Sequence, residues 1–198
     1  MTHDEPRLIA ALSRQSGESS DFDLNPAVEL PQGRILRSAA VLVALVERGG
    51  QTQVILTKRA SHLKHHPGQI AFAGGKLEDG DAGPEAAALR EAEEEIGLLP
   101  ASVAVLGRLP AHETVTGFSV IPILAVIHDD FAFRADPSEV EEVFTVPLAH
   151  VINPNRYTIE KRLWRGDWRR YYAVPYGPYY IWGATARILR GLAERMRE

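Results

Sequence analysis

Cysteine is absent from the 198-residue chain. Its absence excludes disulfides, thiolate zinc sites and cysteine nucleophiles, and it agrees with a reducing compartment. Long apolar runs are missing as well. The stretch Ala39–Val46 is apolar but far too short for a bilayer, which takes about 20 residues. The opening residues, MTHDEPRLIAALSRQ, hold no apolar run behind a basic start, so no secretory signal is expected and the cytoplasm is the expected location. A basic excess is also lacking. The formal net charge is −4, whereas a general duplex binder carries a surplus of lysine and arginine. Neither nucleic acid nor membrane is expected as a partner. A polyanionic substrate would have to be attracted by a local basic patch or by metal ions.

What is present has the balance of a globular chain, with 45% hydrophobic and 24% charged residues, enough to bury a core without staples. There is no internal repeat and no low-complexity segment. Residues 4–14 read as a short amphipathic helix with Leu8, Ile9 and Leu12 on one side. Residues 16–34 are polar and broken by Pro26, Pro31 and Gly33, which makes 1–34 an N-terminal helix and linker and 35–198 the compact domain. Ala39–Val46 reads as a buried central strand, joined through Gly49–Gly50 to a second strand at Gln53–Lys58. Ile70–Ala73 is a short strand running into Gly74–Gly75. Pro84 opens a helix that Gly97 closes after Ile96. Strands are expected at 103–108, 118–127 and 143–146. A hairpin is expected around Gly166–Asp167, followed by an amphipathic helix over Trp182–Met196. Strands mixed with a few helices imply an α/β sandwich with a mixed β-sheet.

The helix after Pro84 carries the most chemical information. At about 100° per residue, Leu89, Ala92 and Ile96 share the core face, while Glu91, Glu94 and Glu95 share an adjacent arc. Like charges so spaced repel, and two of them lie near the negative end of the helix dipole. A bound divalent cation removes both objections, and Mg²⁺ prefers such hard oxygen ligands while keeping room for water and phosphate. The other reading is a solvated acidic face. Two neighbours favour the metal. Gly74–Gly75 permits close backbone approach to a ligand, and Arg90 stands beside Glu91, where a guanidinium can orient a carboxylate.

Arg90, Glu91, Ala92, Glu94, Glu95, Gly97 and Leu98 together resemble the second half of the Nudix box. The first half departs from the family pattern. Asp81 stands at the glutamate position, with five residues between it and Gly75, and eight residues rather than seven separate it from Arg90. The resemblance implies a Nudix-type α/β/α sandwich with a mixed β-sheet and a pyrophosphohydrolase dependent on Mg²⁺, with Mn²⁺ as a substitute. It further implies Glu91 and Glu95 as metal ligands, Glu94 as a further ligand or a water-positioning carboxylate, and Arg90 as the residue that orients a glutamate. The proton acceptor sometimes lies outside the box in this fold. Of Glu139, Glu141 and Glu142 in the segment 138–144, Glu139 is favoured, the alternative being a solvated acidic turn. Nudix chains often pair, so a homodimer is in keeping.

Ahead of the box, Lys58, Arg59, Lys64 and Lys76, with His62, His65 and His66, form the densest basic stretch. Such a patch focuses anions, or it is a solvated loop. The three histidines would share a face on a helix, but Pro67–Gly68 favours a turn. Leu56, Thr57, Arg59, Leu63, His66, Gly68, Gln69 and Phe72, followed by Gly74–Gly75, resemble the signature of the coenzyme A pyrophosphatase branch of Nudix hydrolases. The segments 112–122, 139–148 and 181–193 fit the same branch. Ala73 departs from it, standing where proline is usual. The resemblance implies coenzyme A or a derivative as the small-molecule nucleotide substrate, cut to 3′,5′-ADP and 4′-phosphopantetheine or its acyl form, with Arg59, Lys64, His66, Gln69, Gly74, Gly75 and Lys76 as substrate-binding candidates. ADP-ribose, NADH or an oxidised nucleotide are the alternative substrates, and a non-catalytic nucleotide-binding module is a third reading. The aromatic residues of the last third, Trp164, Trp168, Tyr171, Tyr172, Tyr176, Tyr179, Tyr180 and Trp182, either stack on the substrate or pack in core or dimer surface.

Overall fold

The structure, a computed structural model, describes residues 3–14, 17–31, 33–128, 132–164 and 166–197. Its elements in chain order are α1 (Glu5–Ser13), β1 (Ser19–Ser20), β2 (Arg37–Arg48), β3 (Gln51–Arg59), β4 (Ile70–Ala71), β5 (Ala73–Lys76), α2 (Pro84–Ile96), β6 (Val103–Arg108), β7 (His112–Glu113), β8 (Phe118–Ile127), β9 (Val140–Pro147), α3 (Leu148–Val151), β10 (Thr158–Trp164), β11 (Asp167–Ala173) and α4 (Gly183–Met196). Strands β1 to β9 form one mixed sheet, and β10 and β11 form a separate antiparallel pair.

The architecture follows from β2, which is apolar on both faces, as a strand covered on both sides must be. Ala40, Leu42, Ala44 and Val46 point into a core shared with Ala87, Ala88, Ala92 and Ile96 of α2. Ala39, Val43 and Leu45 point into the opposite core, shared with Ile188, Leu189 and Leu192 of α4 and with Leu8 and Ala11 of α1. Helices thus cover both faces of the sheet, giving an α/β/α sandwich. No helix among the described residues is long and apolar enough to cross a membrane.

One irregularity positions the site. Strand β2 runs parallel to β8 along its length, but its other edge is divided. Residues 45–48 pair with β3, and residues 39–42 pair with β5. The far end of β3, at Thr57–Lys58, pairs instead with β4, while β9 runs along the opposite edge of β3 from Gln53 to Arg59. The expected strand at Ile70–Ala73 is therefore two short strands broken at Phe72, because its halves serve different neighbours. This break sets Gly74–Gly75 against α2 and leaves His66–Gln69 at the sheet rim.

The N-terminal segment carries more order than a polar linker. Ser19–Ser20 pair in parallel with His112–Glu113, and fully buried His112 holds the Ser19 hydroxyl at 2.9 Å and Asp21 at 3.1 Å. The Asn25 side chain accepts from the Arg170 N–H at 2.8 Å and donates to the Arg170 carbonyl at 2.9 Å, tying the β10–β11 hairpin down. These pairings are long-range, so no local pattern announces them.

Candidate active site

Helix α2 ends where its chemistry begins. Gly97 takes a left-handed φ of 72°, and its N–H and that of Leu98 return to the Glu93 and Ala92 carbonyls. The Arg134 and Asp136 N–H groups bond the Ile96 and Glu95 carbonyls, so the loop leading into β9 is anchored on the same helix end. The Ala60 N–H then holds the Glu139 carbonyl at 2.8 Å. Glu139 is exposed, and its charge is felt by both Glu91 and Glu95.

The three glutamates of the predicted arc do not share one environment. Glu95 is buried and accepts the Gly74 N–H at 3.3 Å. Burial pushes its carboxyl up to about 8, against the Gly74 hydrogen bond, and the charges of Glu91 and Glu139 push the same way while Arg59 opposes them. Glu91 is half-buried against Gly75 and is likewise raised by burial, with Arg90 pulling it down. Glu94 is 60% exposed on its side chain and, among the described residues, pairs with Arg90 at 3.3 Å. Helical spacing put the three on adjacent arcs; the neighbouring β5 covers two of them and leaves the third in solvent.

Arg90 is the organiser. It bonds Asp81 through Nε at 3.0 Å and Nη2 at 3.1 Å, Glu91 at 3.0 Å and the Lys76 carbonyl at 3.3 Å. The guanidinium holds Asp81 below the usual carboxylate range. The longer loop between Gly75 and Arg90 thus returns an acidic residue to Arg90, occupying its outer edge and turning its inner edge to Glu91. Gly75 is required by contact: a Cβ there would lie 2.5 Å from Glu91 Cδ and 2.7 Å from Oε2, with Oε1 closer still.

The donor set fits a hard divalent cation. Two neighbouring carboxylates are covered enough to resist ionisation without a positive partner, and a backbone cradle without side chain stands against one of them. Among the described residues no three Asp, Glu or His side chains already converge on one point.

Beside this site, but not including its glutamates, lies a cleft of about 890 Å³. His66, Gly68, Gln69 and Ile70 form one wall; Arg162, Trp164, Arg169 and Tyr171 of the hairpin form another; Tyr179, Tyr180 and Trp182 close it, and Asp21 borders it. This cleft and the perturbed carboxylates are therefore separate places. They are joined by one segment, since Gly74 follows Ile70 by four residues, at most about 13 Å of extended chain. Of the substrate-binding candidates, His66 and Gln69 line the cleft, and Gly74 and Gly75 abut the glutamates. Arg59 is partly buried with its charge acting on Glu95, Lys64 is exposed, and Lys76 contributes its carbonyl to Arg90. Residues 61–68 form turns and bends rather than a helix, and His66 adopts a left-handed φ of 54°.

Sequence reasoning missed the contributions of Asp21, Arg162 and Arg169, because each depends on a contact between distant segments. Among the aromatics, Tyr171, Tyr180, Trp164 and Trp182 face the cleft, Tyr172 and Tyr176 pack on the core, and Tyr179 does both.

A NUDIX domain model matches residues 36–165. The chain is 45% identical over 157 residues to the uncharacterized Nudix hydrolase NudL of Escherichia coli (strain K12), covering 79% of this chain and 81% of that one, and equally to NudL of Shigella boydii. The chain belongs to the Nudix hydrolase family. Solved structures share the fold: the NUDIX domain of Shewanella oneidensis NrtR complexed with ADP ribose (TM-score 0.53, 16% identical, 100% of both chains) and the M. smegmatis Nudix hydrolase RenU (TM-score 0.50, 23% identical, 58% of this chain and 73% of that). As a member of that family, this chain is a hydrolase. Nudix hydrolases generally use divalent metal ions.

Proposed function

We propose that this Nudix hydrolase cleaves the diphosphate of coenzyme A or its derivatives, with Mg²⁺ or Mn²⁺, to 3′,5′-ADP and 4′-phosphopantetheine or its acyl form. The observation that carries the reading is the continuous segment from His66 to Gly75. Three of the residues that resemble the coenzyme A branch, His66, Gly68 and Gln69, line a cleft large enough for a nucleotide of this size. A few residues later the same segment meets the carboxylates of the box.

Glu91 and Glu95 would hold the ion, with Glu94 free to turn toward it from solvent. When bound, the metal supplies neutralisation of the diphosphate oxygens and an acidified water. The chain does the rest. Arg90 keeps Glu91 in one orientation through its bonds to Asp81 and the Lys76 carbonyl. The Gly74 N–H fixes Glu95. Glu139 accepts the proton of the attacking water as the new P–O bond forms and the bridging P–O bond breaks, the electron pair leaving on the departing phosphate. Gln69 and His66 position the nucleotide.

The test is hydrolysis of a panel containing coenzyme A, an acyl form, ADP-ribose and NADH with Mg²⁺, with products identified by mass. Coenzyme A should be cut at the highest kcat/KM; neglect of coenzyme A with good turnover of ADP-ribose or NADH overturns the assignment. Glu95→Gln should fold and lose turnover. Undiminished activity in that variant removes the metal assignment, and a wild-type chain inactive on every member would place it with non-catalytic nucleotide-binding modules.

A further inference from the structure

The hairpin wall of the cleft carries a charge arrangement that the hydrolytic site leaves unexplained. Strands β10 and β11 place Arg162 directly opposite Arg169, and the next pair along is Lys161 opposite Arg170. Like charges facing each other across an antiparallel pair destabilise it. No carboxylate relieves them: Glu160 and Asp167 lie on the same face as Arg162 and Arg169, yet among the described residues neither arginine forms an ion pair with an acidic side chain. The acidic residues that border the cleft are occupied elsewhere, Asp21 by His112 and the Val115 N–H, and Glu142 by the Tyr179 hydroxyl.

The two guanidiniums are also held in place. Arg162 lies over the Trp182 ring at 4.9 Å, and Arg169 lies over Trp164 at 4.6 Å and Phe22 at 5.4 Å. Arg169 Nε and Nη1 are covered and have no hydrogen-bond acceptor among the described residues, so a half-buried charge stands without compensation. Two planar guanidiniums fixed on aromatic rings, facing one cleft and without an acidic ion-pair partner among the described residues, match a phosphomonoester, whose charge of about −1.5 to −2 at pH 7 can engage both.

We propose that Arg162 and Arg169 bind a phosphomonoester of the substrate that is separate from the diphosphate being cut. The separation follows from the cleft, which Arg162 and Arg169 line and which Glu91 and Glu95 do not. The substrate class so selected is a nucleoside diphosphate derivative with an additional phosphate on its nucleoside, the base lying near Trp182 and Tyr171. The inference rests on the proposed function and refines it: the pair, rather than Arg59 and Lys64, meets the remote phosphate and separates such substrates from those lacking it.

Two measurements test it. The first needs no metal and no turnover: calorimetric binding of 3′,5′-ADP and of 5′-AMP to the full chain in EDTA. The wild type should bind 3′,5′-ADP at least about tenfold more tightly, as expected for charged hydrogen bonds. Arg162→Gln and Arg169→Gln should each shrink that preference toward one. The second compares kcat/KM for coenzyme A and for its form lacking the 3′-phosphate. The ratio should favour coenzyme A by about tenfold to hundredfold in the wild type, carried mainly by KM, and should collapse in the variants. Arg162→Lys, which keeps the charge but not the planar fork, should retain part of the preference and controls for folding. Equal binding of the two nucleotides by the wild type, or preferences that survive in both glutamine variants, overturns the proposal even if coenzyme A is hydrolysed well. Neglect of coenzyme A in favour of ADP-ribose instead overturns the proposed function, and the binding preference then judges the arginine pair by itself.

Discussion

Replacing each glycine of the Gly74–Gly75 pair by alanine separates stability from metal binding at adjacent positions. At Gly74 a Cβ would lie 2.6 Å from Val41 Cα and 2.9 Å from Val41 Cγ1, with the Ala40 carbonyl oxygen closer still, and φ is +154°. The obstacles are backbone atoms of the central strand, so the sheet must move. Overpacking with a strained dihedral costs about 2–4 kcal/mol, which lowers Tm by about 5–15 °C in a chain of this length. At Gly75 the nearest atoms to the same methyl are those of the Glu91 carboxylate, the far end of a flexible side chain, and φ is not in the left-handed region. Gly75→Ala should therefore remain within about 1 kcal/mol of wild-type stability. The Glu91 carboxylate, however, must leave its present position. The Mg²⁺ concentration for half-maximal activity should rise about tenfold to hundredfold, the range seen when a ligand's support is lost. Thermal melts with and without Mg²⁺, together with an activity titration in Mg²⁺, read both effects. A Gly75→Ala chain with unaltered Mg²⁺ dependence would refute Glu91 as a ligand; a Gly74→Ala chain as stable as wild type would refute the close approach of β5 to β2.

Other outcomes follow from the same geometry. Because burial pushes the Glu95 carboxyl of the folded chain up to about 8 from its ordinary 4.5, its contribution to stability is full below 4.5 and is lost as pH rises through about 8; metal-free protein should lose up to about 2–3 kcal/mol between pH 6 and 9, Mg²⁺ should restore it, and melts of Glu95→Gln should lack the decline. Arg90→Lys keeps the charge but cannot reach Asp81, Glu91 and the Lys76 carbonyl together, so kcat should fall at least about tenfold with little change in the far-ultraviolet circular dichroism. Leu189→Ala, at a fully buried position of α4, should cost about 2–5 kcal/mol in a denaturant titration without altering KM. Tyr157→Phe removes the hydroxyl that donates to the Val151 carbonyl at 2.7 Å and should cost about 1 kcal/mol by the same measurement.

Residue order alone determined the elements with strong local signals and the chemical character of α2. Pro84 and Gly97 bound the helix because one cannot donate within it and the other turns left-handed after it. Period-two and apolar runs located β2, β3, β6, β8 and the last hairpin, and helical spacing placed Glu91 and Glu95 near each other. Contact across the fold decided the rest. The exposure of Glu94 beside the burial of Glu95 depends on β5 lying over one side of α2. The pairing of Asp81 with Arg90 depends on how an extended loop closes. An N-terminal segment borders the cleft because Asn25 bonds Arg170 of β11 and Asp21 bonds Val115 of the turn before β8, each more than ninety positions away in the chain. Desolvation and long-range pairing are properties of packed neighbours, which a linear pattern does not specify, whereas helix caps and strand periodicity are written within a few residues of where they act.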